Sequence, residues 1–397
     1  MARDPRPLRV LMILESGFPV RGGGGAESQV RTLACELRRR GHVVTVLTPR
    51  VANAPQKRID RCDGIAVVRL GYPRLRGLAR LVLWCRLAAF LHSRGHRYHA
   101  WHAHIAHYLA AIACAFGRRG HHPVVVKVSG WWELERGVLA ANAGPLAALA
   151  RHALHRATAI QAISRRVAVE LARQHFDADR IVALPNAVDT ARFSVGARHP
   201  SAPGSLQAIF VGRLVPEKGL FTLLEAWAAA FGSDQRMRLR LVGTGVLEAE
   251  LRARVQTLGI SGSVEFLGHR EDIEALLLSA DVGLLPSTIE GLSNTLLEYM
   301  ASALPVIASR ISGSEDMVVP GRNGWLFAPG DVAELARYLQ AAAKMHPSRR
   351  CELGHQARLD VGASAGLGIV VDRLVGLYRG AATTAETALA PLSTHRS

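Results

Sequence analysis

Two stretches of this chain carry residue types suited to holding a phosphorylated ligand. The first, Phe210-Val-Gly-Arg-Leu-Val-Pro-Glu-Lys-Gly219, follows the apolar run Ala208–Val211. Gly212, Arg213 and Lys218 therefore fall just past the carboxyl end of a strand, which is where open α/β sheets bind ligands. An arginine forks onto two phosphate oxygens and a lysine adds a point charge, so the pair suits a diphosphate. The second stretch, Ser287-Thr-Ile-Glu-Gly-Leu-Ser-Asn-Thr-Leu-Leu-Glu298, sets two glutamates around a turn that opens a helix. Helix N-termini offer unpaired N–H groups and a positive dipole end, so Gly291, Leu292, Ser293, Asn294 and Thr295 form a candidate phosphate cradle. Glu298, about one turn into the helix, has two acceptor oxygens that fit the vicinal hydroxyls of a ribose. Glu290, ahead of the helix, reaches toward a sugar hydroxyl or the anomeric region. Each pattern also has a plain reading, as a solvated basic loop and as a first-turn glutamate favoured by the helix dipole.

The elements that position these residues follow from the hydrophobic pattern. Leu8–Leu14 reads as a buried strand, Gly22–Gly25 as a glycine loop, Ala26–Arg40 as a helix stopped at Gly41, and Val43–Thr48 as the next strand. Strand, loop, helix, strand is a βαβ unit, and the runs Ala66–Leu70, Val124–Val128, Ala159–Ile163 and Ile181–Leu184 extend it into a sheet. A second series begins after the Pro- and Gly-bearing segment Gly196–Ser205. Its strands are Ala208–Val211, Leu239–Val242, Val264–Leu267, Val282–Leu285 and Pro305–Ala308, alternating with helical stretches. The fold class predicted is α/β with two doubly wound parallel sheets. The boundaries predicted are residues 1–198 for the first domain, 199–365 for the second, 366–380 for a closing helix and 381–397 for a disordered tail.

A chain of 397 residues that is 49% hydrophobic and 20% charged buries substantial cores. Its longest apolar stretches fall short of the ~18–20 residues that span a bilayer, and the run Val10–Leu14 is too short for a secretory leader. A cytosolic protein is expected. The five cysteines are scattered and form no C-x-x-C pair, which suits reduced thiols. The net charge of +17 is uneven: residues 1–200 hold 31 Lys and Arg against 12 Asp and Glu, and residues 201–397 hold 18 against 20. Arginine outnumbers lysine 45 to 4, a compositional bias that by itself would act on both halves alike. The asymmetry points to a first domain facing something anionic, and the expectation drawn is shallow, salt-sensitive docking at the inner face of the cytoplasmic membrane. Arg74, Arg76, Arg80 and Arg86, interleaved with leucines, carry that expectation. No helix-turn-helix or aromatic platform accompanies the charge, so nucleic acid is not expected as a partner.

Taken in order, Gly-Gly-Ala-Glu at 24–27, Arg-Gly-His at 40–42, Pro-Asn-Ala-Val-Asp at 185–189, Gly-Arg-Leu and Glu-Lys-Gly within 212–219, Val-Gly-Thr-Gly at 242–245, Phe-Leu-Gly at 266–268 and the paired glutamates at 290 and 298 resemble family 4 of the retaining glycosyltransferases. The resemblance covers about residues 8–375. It implies the GT-B arrangement, two Rossmann-like domains facing each other across a cleft, with the first binding the acceptor and the second the nucleotide sugar. By position it implies that Arg213 and Lys218 neutralise the diphosphate, Glu298 holds the ribose and Glu290 the donor sugar. Gly24, Gly25, Gly212 and Gly243 would let backbone approach the donor closely. It implies no metal and no cofactor, a UDP sugar ahead of GDP-mannose as donor, and a glycan or polyprenyl-diphosphate-linked acceptor in cell-surface polysaccharide or glycolipid synthesis. The same fold also serves nucleotide-sugar 2-epimerases, and a silent glycan- or nucleotide-sugar-binding protein is the reading from another class.

The chain departs from that family at one place. Where members usually carry a histidine facing the donor sugar, it reads Val126-Lys-Val-Ser-Gly-Trp-Trp-Glu-Leu-Glu135, so Ser129 takes the position. Ser129, Trp131 and Glu133 are therefore candidates for donor-sugar or acceptor contacts. His104, in the run His99, His102, His104 and His107, is a candidate polar wall of the acceptor site; no cysteine or carboxylate accompanies the run to make a metal site. Ala187 and Ala303 stand where the family has glycine.

Overall fold

The computed structural model describes residues 6–19, 24–50, 56–73, 78–140, 142–193 and 201–380. It divides into two compact units, one of Met1–Ala187 with Leu367–Ser397 and one of Val188–Gly366.

In the first unit, the strands are β1 (Arg9–Ile13), β2 (Val43–Pro49), β3 (Ile59–Cys62), β4 (Ile65–Leu70), β5 (Ala100–Ala103), β6 (Val124–Val128), β7 (Ala159–Ala162) and β8 (Ile181–Ala183), ordered β3-β4-β2-β1-β5-β6-β7-β8. Every pairing is parallel except β3 with β4. Helices cover both faces of such a sheet, so its central strands are apolar almost without a break: Val10, Leu11, Met12 and Ile13 are all buried. Helix Gly25–Arg39 buries Val30, Leu33, Ala34 and Leu37 at helical spacing and stops before Gly41, whose φ is +86°. The final helix, Leu367–Tyr378, buries Val370, Val371, Leu374 and Leu377 in the same core, and Arg40 ties it down through Asp372 at 2.8 Å and the Gly368 carbonyl at 3.1 Å.

The second unit holds β9 (Leu206–Val211), β10 (Met237–Val242), β11 (Val264–Gly268), β12 (Val282–Leu285), β13 (Val306–Ser309) and β14 (Gly324–Phe327), all parallel and ordered β11-β10-β9-β12-β13-β14. The order runs outward from β9 to β11, then restarts on the other side with β12. That reversal makes the β9/β12 border the topological switch point, where a crevice opens beyond the strands' carboxyl ends. The β1/β5 border is its counterpart in the first unit.

Three strands lie outside the sequence reading: the edge strand β3, the histidine-bearing β5 and the short β14. The unit boundary at 187/188 also precedes the predicted 198/199. Backbone hydrogen bonding sets it, because Val188 N–H donates to the Ala365 carbonyl at 2.9 Å while Arg358 donates to the carbonyls of Thr190 and Phe193 at 2.8 Å. Residues 194–200, which include the first half of the segment read as a linker, and residues 381–397, read as a tail, lie outside the described residues, as do Arg74 and Arg76.

Candidate nucleotide-sugar site

At the second unit's switch point, the loops after β9 and β12 are fastened to each other. Thr288 N–H donates to the Glu217 carbonyl at 2.9 Å, and Lys218 Nζ pairs with Glu290, whose carboxylate also accepts from Ser287 Oγ at 3.2 Å. Lys218 and Glu290 keep 16% and 17% of their side-chain surface exposed, enough for a ligand to compete for either. Arg213 is far more exposed, at 64%, and leans toward Glu217 at 3.5 Å. The structure thus brings Lys218 to Glu290 and leaves Arg213 facing solvent beside them.

Close backbone approach dictates the glycines. A Cβ on Gly243, whose φ is +131°, would stand 1.9 Å from the Gly212 carbonyl oxygen, and one on Gly219 (φ +64°) would stand 2.0 Å from that of Pro286. The helix that the Gly-Leu-Ser-Asn turn opens begins at Asn294 and runs to Ala301, so Gly291, Leu292 and Ser293 form the buried turn ahead of it. Gly313 N–H fixes that turn by donating to the Gly291 carbonyl at 2.7 Å. Asn294 and Thr295 form the helix's first turn.

Tyr299 anchors this helix, a role with no signature in the sequence motif. Its hydroxyl accepts from Val211 N–H at 2.7 Å and lies 3.4 Å from the Leu284 carbonyl, joining the ends of β9 and β12 beneath the glutamates. The ring fits because Gly283 has no Cβ, which would lie 2.4 Å from it. Burial pushes the phenol pKa up, so the hydroxyl stays protonated. Glu298, on the same helix, is half-buried. Burial raises its pKa to about 7 against the pull of Arg192, and Glu274, which is paired with Arg192, pushes it the same way.

The first unit corrects two expectations. Glu133, a candidate for sugar contact, is fully buried, accepting from Ala106 N–H at 2.7 Å, Ser129 N–H at 2.7 Å and Ser129 Oγ at 2.6 Å. It clamps the loops after β5 and β6, which leaves it no reach for a substrate. Burial nonetheless raises its pKa to about 7, the hydrogen bonds from Ser129, Ala106 and Gly130 acting in opposition. His104 is not a polar wall: it is wholly buried, both ring nitrogens lack a hydrogen-bond partner, and it stacks on His102 at 4.0 Å between ring centroids.

The other residues of this unit sit nearer the surface. Ser129 is half-buried, with its hydroxyl turned to Glu133. Trp131 donates to Glu135 at 2.8 Å and carries Arg166 at 4.7 Å from its ring centroid. Gly24 caps helix Gly25–Arg39 in extended conformation. At the β1/β5 border, the Glu15 carboxylate takes His107 Nδ1 at 2.6 Å and Leu109 N–H at 2.8 Å, a pairing absent from the sequence reading.

Two parallel-sheet units, one with basic and acidic groups gathered at its switch point, define the class of GT-B glycosyltransferases. A family model described as glycosyl transferase 4-like domain matches residues 24–187, and one described as glycosyl transferases group 1 matches residues 205–344. The chain belongs to this family, family 4 of the GT-B glycosyltransferases. It is 29% identical to a D-inositol 3-phosphate glycosyltransferase of Geodermatophilus obscurus over 95% of this chain and 90% of that one. It is 33% identical to the lipopolysaccharide core biosynthesis glycosyltransferase LpsE of Rhizobium meliloti, over 43% of this chain and 48% of the relative. Alignments of that second kind prevail among the first relatives, so the chain spans about half the length of the curated relatives it matches there. In fold it is similar to HepE of Anabaena, solved in complex with UDP, with a TM-score of 0.72 and 19% identity over 93% of this chain and 98% of that one.

Proposed function

We propose that this protein transfers a sugar, with retention of anomeric configuration and without a metal, from a nucleoside diphosphate to a glycan or lipid-linked acceptor. A UDP sugar is the favoured donor, and cell-surface polysaccharide or glycolipid synthesis the setting. One observation carries the reading: Arg213, the Lys218–Glu290 pair and the N-terminal turn at Asn294 gather at the second unit's switch point, with Glu298 four residues into that helix. In this reading the diphosphate draws Lys218 from Glu290 and takes Arg213 as well. Those cations and the helix dipole stabilise the charge that grows on the leaving phosphate oxygen. Glu290, so released, receives donor-sugar hydroxyls, and Glu298 the ribose. With no carboxylate assigned as nucleophile, the acceptor enters on the face the diphosphate leaves, and a phosphate oxygen takes its proton. Supporting the donor is the UDP bound by the Anabaena protein, and supporting the setting is the lipopolysaccharide assignment of the Rhizobium relative.

The test is a panel of UDP, GDP and ADP sugars assayed by thermal shift and by release of the nucleoside diphosphate with added acceptors. Stabilisation by one nucleotide class, with release dependent on acceptor, is expected. Release without any acceptor and with epimerised sugar would replace this reading by the 2-epimerase. Binding with no turnover would replace it by a silent binding protein. The basic excess of the first 200 residues supports peripheral attachment to an anionic membrane, each basic side chain contributing ~1 kcal/mol near the surface. Among the described residues no helix is long and apolar enough to cross a membrane. Co-sedimentation with anionic but not neutral vesicles, reversed by salt, is the expected result.

A further inference from the structure

A pocket of about 700 Å³ opens in the first unit between the β3–β4 hairpin and helix Leu78–Arg94. This volume falls within the range of roughly 300–1,000 Å³ typical of small-molecule sites. The sequence builds it in two layers. Arg86, Ala89, Phe90, Ser93 and Arg94 all line it, at i, i+3, i+4, i+7 and i+8 on one helix face. The small Ala89 and Ser93 leave the space that longer side chains would fill. Opposite them, Ile59 faces Val68 across the antiparallel pair and Leu70 lies two residues further along β4, which makes the floor apolar. Ile59 is 62% exposed, an uncovered apolar group on an edge strand.

Arginines line the same space. Arg50 follows β2, Arg58 precedes β3, and Arg86 and Arg94 stand two turns apart on the helix. Among the described residues none of these four is in an ion pair; Asp60, the neighbouring carboxylate, is taken by Arg69 at 3.1 Å. Arg86 donates to the Gly71 carbonyl, which holds its guanidinium at the pocket's edge. Four like charges around one opening repel one another and are stabilised by a multivalent anion.

We infer that this pocket binds an anionic amphiphile, a phosphate or diphosphate carried on an apolar chain, with the arginines on the phosphates and the chain over Ile59, Val68, Leu70 and Phe90. The inference rests on the proposed transferase reading only in making such a molecule the acceptor's carrier. Binding itself is independent of the second unit.

The experiment is calorimetric titration of the full chain with geranyl diphosphate, inorganic pyrophosphate and geraniol, with UDP as a control for the second unit. Geranyl diphosphate is expected to bind, and the other two, each lacking half the chemistry, to bind more weakly by on the order of ten-fold. Arg86→Gln with Arg94→Gln should weaken geranyl diphosphate by about ten-fold or more while UDP affinity stays unchanged. Ala89→Trp, which fills the space without touching a charge, should do the same. Equal binding of pyrophosphate would reduce the pocket to a free-anion site, and equal binding of geraniol to a greasy one; either overturns the inference. So does undiminished binding in both variants. Geranyl diphosphate binding with no response to any nucleotide sugar would instead sink the transferase reading and leave this one standing.

Discussion

Replacing Glu298 by glutamine separates what this residue costs the fold from what it offers a ligand. Burial holds its carboxyl at about 7 in the folded protein, against 4.5 as the ordinary value. The folded state therefore binds the proton more tightly than the unfolded chain does. The stability this lends is complete below pH 4.5 and disappears as the pH rises through 7. A displacement of that size corresponds to ~3 kcal/mol, at about 1.4 kcal/mol for each pKa unit. Glu298→Gln carries no charge to desolvate, so it should match the parent near pH 4.5 and exceed it at pH 8 by up to ~3 kcal/mol. In a unit of this size each kcal/mol moves the melting temperature by roughly 2–4 °C, which calorimetry at the two pH values resolves. The same variant should bind nucleoside diphosphate about ten-fold more weakly, because an amide is a poorer acceptor for two hydroxyls than a carboxylate. Equal stability of parent and variant at pH 8 would mean that Arg192 already neutralises the carboxylate, and the reasoning would fail. A stabilised variant with undiminished nucleotide affinity would detach Glu298 from the ligand.

Three further outcomes are expected. Lys218→Met should lower stability by ~1–3 kcal/mol by leaving Glu290 unpaired, with Glu290→Gln in the same chain restoring most of it; additive melts from the double-mutant cycle would show the pair to be uncoupled. Gly243→Ala should cost ~2–4 kcal/mol, since its Cβ would overlap the Gly212 carbonyl, and denaturant unfolding with an unchanged midpoint would contradict the close approach. Ala303, at φ +53°, pays the left-handed penalty that glycine avoids, so Ala303→Gly should add ~0.5–1 kcal/mol, and a lower melting temperature would count against it.

Most of the sheet architecture was readable because a parallel strand covered on both faces must be an apolar run, as Val124–Val128 is. β5 escaped for the converse reason. Ala100-Trp-His-Ala103 has no such run and becomes a strand only through its neighbours, β1 and β6. β14 is four residues long, and β3 is an edge strand with half-exposed residues, so neither stands out from turn sequence. At the site, Arg213, Lys218, Glu290 and Glu298 were legible because motif spacing relates them to a strand end or a helix start. Their partnerships were not. Lys218 meets Glu290 across 72 residues and Tyr299 meets Val211 across 88, and local periodicity carries no information about either. The charge asymmetry was legible as a quantity, while the pocket that gathers four of those arginines depends on how β4 and helix Leu78–Arg94 pack.

Glu133 and His104 sit in one buried polar group with Lys127 and His102. Glu133 and His104 were read by side-chain type, as polar groups that ought to meet substrate, yet all four residues are buried at 1% exposure or less. Burial drives each toward neutrality: His102 falls to about 3, Lys127 to about 7, Glu133 rises to about 7, and His104 falls well below its ordinary value. At neutral pH both imidazoles are uncharged, and burial works against the charged forms of Lys127 and Glu133 alike. A cluster with so little net charge is tolerable in a core, and it does structural service, since Glu133 holds two loops and His102 Nδ1 meets the Tyr378 hydroxyl of the last helix at 2.7 Å. The resemblance had placed Ser129 where relatives carry a histidine facing the donor. Because the Ser129 hydroxyl donates inward to Glu133, the position is spent on fixing the loop after β6.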